Sequence, residues 1–239
     1  MSSVADHEAA VIVPVEDLTA TRSAGAHQVV EQARASRPRR DLYGGQSLQE
    51  RAADRRARIS RAALELFAGR SYDDVTVAEV CARAKVLKRR YFYEHFTDRE
   101  DLLLVVHREQ NDWLLAGVSA AAPKEPENLD APLRPMMTAL VTMLLEHPDS
   151  ARVIYIKAPR MELRRRGVLR NDAEVMGRLL RRSVPRPCDR VRHERLMLTF
   201  VAGVSEVMFD WLERGMTDDP DVLIEHLTGI ATALLSGTC

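Results

Sequence analysis

The sequence has few of the features that mark secreted, metal-binding or membrane proteins. Its three cysteines, Cys81, Cys188 and Cys239, are far apart and form no C-x-x-C pair, so neither a disulfide framework nor a zinc site is expected. No apolar run approaches the roughly 18 residues that a membrane helix needs, and no signal peptide is recognisable at the start. These absences predict a cytoplasmic protein without a metal, a cofactor or a membrane partner.

The common active-site motifs are also missing. The chain contains no G-x-S-x-G, H-E-x-x-H, Walker loop or dinucleotide-binding fingerprint, and each of these motifs carries a specific chemistry. His193 with Glu194, and Glu206 with Asp210, are acid-base residue types without a partner constellation. We therefore expect no enzyme activity and assign no catalytic residue.

Charge is balanced over the whole chain but not along it. The 35 basic residues match the 35 acidic ones, whereas five basic residues and no acidic one lie between Glu79 and Glu94. These are Arg83, Lys85, Lys88, Arg89 and Arg90, and the aromatic run Tyr91, Phe92 and Tyr93 follows directly. DNA responds to a local patch of charge rather than to the net charge, so this segment is the first candidate for a nucleic-acid contact.

Residues 1–46 have no sustained helical or strand period and end in Arg34, Arg37, Arg39, Arg40 and a Gly-Gly pair. We interpret them as a disordered arm. The arm is either a solvated tail or an extension that enters a DNA minor groove.

Downstream of the arm the apolar residues recur with a helical period, and proline and glycine fall between the runs, which predicts an all-α protein. Three capping boxes mark helix starts: Ser47 with Glu50, Thr76 with Glu79, and Thr97 with Glu100. Five further helices are predicted at about 130–146, 149–158, 160–182, 189–214 and 220–236, with Asp149, Asp189 and Asp219 as N-caps.

The spacing around the basic segment is that of a helix-turn-helix. A capped helix from Thr76 to Ala84 is followed by a tight connection near 85–87 and a short basic and aromatic helix. Phe92 and Phe96 are four residues apart and are expected to face the core. The exposed side would then present guanidinium groups that can recognise guanine edges and donors that can hold phosphates.

At this point the chain resembles the DNA-binding domain of TetR-type regulators. The resemblance rests on RISRAALELF (58–67), SYDDVTV (71–77) and YFYEHFTDREDL (91–102). It implies a three-helix DNA-binding domain at 47–97 and a larger helical domain at 98–239 that binds an effector and dimerises. The expected DNA-binding residues are Thr76, Lys88, Arg89, Arg90, Tyr91, Tyr93, His95 and Arg99.

Several of these residues have an alternative role. Thr76 is first a helix cap, Tyr93 could be a half-buried aromatic, and Arg99 could be a surface charge rather than a phosphate clamp. For His95, packing and phosphate contact are equally good interpretations.

The connection between the two helices departs from the family pattern. The family usually has Ala-Gly-Val-Ser there, whereas this chain has Ala84, Lys85, Val86 and Leu87 and one additional residue. A lysine would occupy a position where φ is often positive, which is a local cost. The register of Lys88, Arg89 and Arg90 on DNA is therefore not fixed by the resemblance.

In the larger domain, methionine and aromatic residues on several predicted helices suit an adaptable pocket or an ordinary core equally well. The family resemblance favours a pocket for a small apolar or amphipathic effector. The candidate ligand-binding residues are Trp113, Met137, Tyr155, Met176 and Phe200.

The last two predicted helices are unusually apolar and carry small residues that permit close approach. In the family the corresponding pair forms a two-fold interface, and a palindromic DNA site also needs two DNA-binding heads; the alternative is an internal core. The predicted dimer-interface residues are Val201, Val204, Met208, Leu227, Ile230 and Leu234.

The function predicted from the sequence is that of a homodimeric transcriptional regulator, a repressor, that binds near-palindromic double-stranded DNA and is released by a small molecule. The alternative is a helix-turn-helix regulator that is controlled by a protein partner or by its own concentration.

Overall fold

The computed structural model describes residues 47–157, 162–183 and 189–236; the predicted arm, 1–46, lies outside them. Over these ranges the chain is helical without a β-strand, which confirms the all-α prediction. Nine α-helices are present in them: α1 Leu48–Gly69, α2 Val77–Arg83, α3 Arg90–Tyr93, α4 Arg99–Ala121, α5 Asp130–Glu146, α6 Pro148–Ala151, α7 Glu162–Leu179, α8 Arg190–Glu213 and α9 Pro220–Ser236. Shorter turns of 3-10 helix occur at Tyr72–Asp74 and Leu180–Arg182.

Two of the three predicted capping boxes form as expected. The Ser47 hydroxyl accepts a hydrogen bond from the Glu50 N–H, and Thr76 makes the same bond with Glu79. The third prediction was wrong by one residue, because Asp98 is the N-cap of α4 and accepts from the Asp101 N–H at 2.8 Å. A carboxylate one position further along satisfies the same orphan amides, so the start of the helix moves by one residue.

Asp189 caps α8 as predicted, through a 2.8 Å bond from the Arg192 N–H. The predicted single helix at 149–158 was wrong. The chain instead forms the four-residue α6, whose N-cap is His147 rather than Asp149, and then a π-helical segment, Arg152–Lys157. A π turn is rare and inserts an extra residue per turn, so it changes which side chains face inward.

The buried side chains form two hydrophobic cores. One, the head core, joins α1, α2 and α3 to the first two turns of α4 through Leu102, Leu103 and Val106. The other, the C-terminal core, takes Leu114 and Val118 from the same helix and packs them with α5, α7, α8 and α9. Since α4 is one continuous helix, it connects the two cores rigidly.

No helix in the described ranges is both long enough and apolar enough to cross a membrane.

Candidate nucleic-acid interface

The start of α2 is held by a network of charged and polar groups. The Thr76 hydroxyl donates to Glu79 Oε2 at 2.7 Å and accepts from the Glu79 N–H at 3.2 Å, while Arg70 Nη1 donates to Glu79 Oε1 at 2.8 Å. The bonds from Arg70 and Thr76 lower the pKa of the Glu79 carboxyl to about 2. Thr76 is therefore a helix cap that is also exposed at a helix N-terminus, where a phosphate is favourably placed.

The turn after α2 is a Schellman motif built without glycine. The Lys85 N–H donates to the Ala82 carbonyl at 3.1 Å and the Val86 N–H to the Cys81 carbonyl at 2.8 Å, which is the paired pattern of that motif. Lys85 has φ of +55°, so the positive φ expected from the sequence is confirmed. Arg58 of α1 donates to the Ala84 carbonyl at 3.4 Å, and Val86 is buried. The turn is therefore held in place by the hydrogen bond from α1 and by the buried Val86 side chain.

The basic segment after the turn is exposed to solvent. Lys88, Arg89 and Arg90 are all exposed, and within the described ranges neither Lys88 nor Arg89 has an ion-pair partner. Arg83 differs, because its Nε donates to Glu65 Oε2 at 2.7 Å. The cations left for a polyanion are therefore the ones that lie next to α3.

Tyr91 lies between two guanidinium groups. Arg55 of α1 is 4.6 Å from the centre of its ring and Arg90 is 4.8 Å away, and Arg90 Nη2 donates to the Tyr91 hydroxyl at 3.1 Å. This hydrogen bond, with the charge of Arg90, lowers the pKa of the Tyr91 phenol. Arg90 therefore has a weak, exposed partner that it can exchange for a base edge.

The aromatic residues of α3 and its C-terminal turn divide as predicted between core and surface. Phe92 and Phe96 are buried, with ring centres 5.5 Å apart, which confirms that they face the core. Tyr93 is exposed and packs edge-on against Phe92 at 5.2 Å. Its hydroxyl can therefore reach a phosphate while its ring stays anchored.

His95 and Arg99 are more involved in the fold than the family resemblance implies. The Nε2 atom of His95 is buried with no hydrogen-bond partner in the described part of the chain, and burial, followed by the nearby Arg55, lowers the pKa of this imidazole. Arg99 Nη1 donates to the carbonyls of Val75 at 2.7 Å and Asp73 at 3.2 Å, and its guanidinium lies 4.2 Å from the Tyr72 ring. For both residues a packing role is the better interpretation.

The candidate effector residues all lie in or against the C-terminal core. Met137, Met176 and Phe200 are buried, whereas Trp113 and Tyr155 pack against the core from partly exposed positions. The Trp113 ring meets His147 edge-on at 4.8 Å. These residues come from α4, α5, the π-helical segment, α7 and α8, so one core brings the whole predicted set together.

Half of the predicted dimer-interface set is unavailable to a partner. Val201, Met208 and Leu227 are buried in the C-terminal core of the single chain, where α8 packs on α7 and α9 packs on α5. Val204 and Leu234 are half-buried and Ile230 is exposed. The burial of these three residues matches an internal core rather than an exposed interface.

A buried polar pair was missed by sequence reasoning. Asn111 Nδ2 of α4 donates to Asp172 Oδ1 of α7 at 3.0 Å, and both residues are buried. Burial raises the pKa of the Asp172 carboxyl to about 6 although the bond from Asn111 opposes the rise. The only sequence signal is a polar residue on each of two otherwise apolar helix faces.

The fold of the chain and its N-terminal helices are similar to those of known proteins. Residues 59–106 match the family model described as bacterial regulatory proteins, tetR family, and this stretch spans the second half of α1, all of α2 and α3, and the start of α4. No curated protein sequence matches the chain significantly.

Solved structures match over most of the chain. The fatty acid degradation regulator FadR from Bacillus halodurans is 18% identical with a TM-score of 0.64, over 77% of this chain and 95% of that one. A tetR-family regulatory protein from Rhodococcus RHA1 is 23% identical with a TM-score of 0.57, over 76% and 97%. The FadR of Bacillus subtilis, solved in complex with stearoyl-CoA, is 17% identical with a TM-score of 0.60, over 76% and 98%. Residues 59–106 thus match the tetR family model, and the described helices share the fold of these solved regulators.

Proposed function

We propose that this protein is a transcriptional repressor that binds a near-palindromic DNA operator as a homodimer and is released by a small apolar or amphipathic effector. One observation carries the DNA-binding part of the proposal. Exposed cations without ion-pair partners in the described ranges lie directly after a rigid turn and next to an exposed tyrosine, Tyr93. Because the tetR family is one of regulatory proteins, its members are not expected to be enzymes.

Within this interface the side chains divide by chemistry. Arg90 can present a planar fork to the O6 and N7 atoms of guanine, which is the commonest specific contact in the major groove. Lys88, Arg89 and Tyr93 suit phosphate oxygens, and so do the amides at the start of α2 beside Thr76. His95 and Arg99 would act indirectly, by holding α3 and the Tyr72–Asp74 turn in place.

We propose that the dimer forms through the outer faces of α8 and α9. Gly203, Gly229 and Ile230 are exposed there, and no neighbouring atom lies within 4 Å of a Cβ built on either glycine. Small residues let two helices approach closely, and an exposed isoleucine adds apolar area. The proposed interface therefore keeps Ile230, with Val204 and Leu234 at its edge, and replaces the three buried residues with the two glycines.

The effector site is proposed within the C-terminal core, among the candidate residues described above. The Bacillus subtilis FadR structure holds stearoyl-CoA, which supports an amphipathic ligand for a chain of the same fold. Trp113 lies on α4, and the start of that helix packs in the head core. A ligand that favours one tilt of α4 would change the spacing of the two heads, and a hundredfold release needs about 2.7 kcal/mol of differential affinity.

The DNA-binding proposal is tested by the salt dependence of binding. On a duplex selected by the protein, log Kd should rise steeply with log salt. Replacing Lys88 and Arg89 with alanine removes four cations from the dimer and should lower the slope by about four, at about 0.9 for each phosphate contact. Replacing Arg170 and Arg195, which are exposed on α7 and α8, should leave the slope unchanged. Equal slopes for the two double variants would reject the proposed interface.

The effector proposal is tested by thermal unfolding and operator release with stearate and stearoyl-CoA as probes. Trp113→Ala should keep its DNA affinity and lose the response to whichever probe acts on the wild type. If no probe in a wider apolar panel shifts either measurement, control by a protein partner or by concentration replaces the effector.

A further inference from the structure

Leu87 is almost completely exposed. Its side chain is 99% accessible, whereas the next most exposed large apolar residue in the described ranges, Val222, is at 64%. Single exposed apolar residues are common on protein surfaces, so exposure alone assigns no role.

The backbone fixes the direction of Leu87. Val86, the preceding residue, is buried and its N–H closes the Schellman motif on the Cys81 carbonyl, and α3 starts at Arg90. Leu87 therefore projects from the rigid connection just ahead of α3. In a helix-turn-helix it is the N-terminal end of the recognition helix that meets the base edges.

The surface around Leu87 is cationic. Lys85, Lys88 and Arg89 are exposed and have no acidic partner within the described ranges, and the nearest acidic residue along the chain towards the C-terminus, Glu94, pairs with Arg55 at 3.6 Å. A second copy of the chain would bring the same positive charges to this surface and would be repelled. The ligand that complements this surface is a polyanion that also presents an apolar group to Leu87.

Double-stranded DNA offers one such group. The C5-methyl of thymine is the apolar feature of the major groove, and aliphatic side chains contact it. We propose that Leu87 reads a thymine in each half-site by packing on this methyl group, an inference that rests on the proposed DNA-binding function. The contact would add specificity at an A·T pair next to the base pairs that Arg90 reads.

The test removes the methyl group from the DNA. In a duplex selected by the full-length protein, each thymine is replaced in turn by deoxyuridine, which lacks only that methyl. For the wild type, deoxyuridine at one position of a half-site should lower the affinity for the duplex about fourfold, as expected for the loss of one buried methyl group. The same substitution in both half-sites should lower the affinity about fifteenfold. Leu87→Ala should bind the thymine duplex and the deoxyuridine duplexes with equal affinity.

Two matched variants complete the experiment. Leu145→Ala removes another exposed apolar side chain, on α5 and away from the proposed dimer interface, and should keep the full discrimination between thymine and deoxyuridine. Leu87→Met keeps an apolar side chain and should also discriminate between thymine and deoxyuridine. This variant tests the apolar contact if Leu87→Ala binds DNA too weakly to measure.

The outcomes separate the two proposals. A wild type that selects a sequence but binds thymine and deoxyuridine equally at every position overturns the role of Leu87 and leaves the proposed function intact. Retained discrimination in Leu87→Ala also overturns it. A wild type that selects no sequence at all rejects the proposed function itself.

Discussion

Val153 and Ile154 are consecutive residues that are buried in two different cores. Val153 packs into the head core with residues of α1, α2 and α4, while Ile154 packs into the C-terminal core. Both lie in the π-helical segment, and the backbone of Ile154 is also hydrogen-bonded to the buried His107 of α4. The head and the C-terminal core therefore share a second connection besides α4.

This connection predicts that Val153→Ala weakens the coupling between effector and DNA. The variant should lose about 1–3 kcal/mol in the free energy of unfolding, as for other truncations of a buried aliphatic side chain. It should also show less release of operator per bound effector. Val118→Ala removes the same atoms from the C-terminal core alone. Equal release by both variants after correction for stability would contradict a role for the π-helical segment.

The left-handed Lys85 predicts a stabilising glycine substitution. Because a non-glycine residue at φ of +55° is strained, Lys85→Gly should be more stable than Lys85→Ala by about 0.5–1 kcal/mol in urea unfolding. Both variants remove the same charge, so their DNA affinities should fall by similar amounts. A glycine variant no more stable than the alanine variant would show that the turn carries no strain at this position.

Asp172 predicts a stability that declines as the pH rises. Its pKa in the folded protein is about 6, above its ordinary value of 3.8, so the folded state holds the proton more tightly than the unfolded state. The neutral carboxyl contributes to the free energy of unfolding below about pH 4, and this contribution is lost between about pH 4 and pH 6. Asp172→Asn should remove this decline and raise the free energy of unfolding at pH 7.5 by about 1–3 kcal/mol.

The exposed Asp218 offers a control for that experiment. Asp218→Asn should keep the decline between pH 4 and pH 6, measured by urea unfolding at each pH. A wild type whose stability rises through this range, with no change in Asp172→Asn, would contradict the buried carboxyl as its source.

The proposed dimer interface predicts that Gly229→Arg yields monomers. The exposed glycine on α9 leaves room for a second helix, and an arginine there would hold two copies apart and bury an unpaired charge. Ala116→Arg, on an exposed position of α4, should remain dimeric. Sedimentation velocity distinguishes the species, and a dimeric Gly229→Arg would place the interface elsewhere.

Features of the fold that depend on nearby residues could be predicted from the sequence, whereas features that depend on distant residues could not. Ser47 and Thr76 could be predicted as helix caps because a capping box depends on residues three apart. The π-helical segment could not, since it arises where Val153 and Ile154 must enter different cores. Likewise, the engagement of Arg99 with Asp73 and Val75, 26 and 24 residues earlier, leaves no periodic signal in the sequence.

The most direct measurement is the selection of duplexes from random DNA by the wild type and by Arg90→Ala. The wild type should enrich a near-palindrome whose half-sites lie about one helical turn or more apart. Arg90→Ala should lose about 1–3 kcal/mol of affinity for each half-site and flatten a guanine preference at one position of each half-site, while Tyr93→Phe should weaken all sequences by a smaller, equal amount. No enriched sequence for the wild type, or an unchanged preference in Arg90→Ala, would contradict recognition of DNA by this segment.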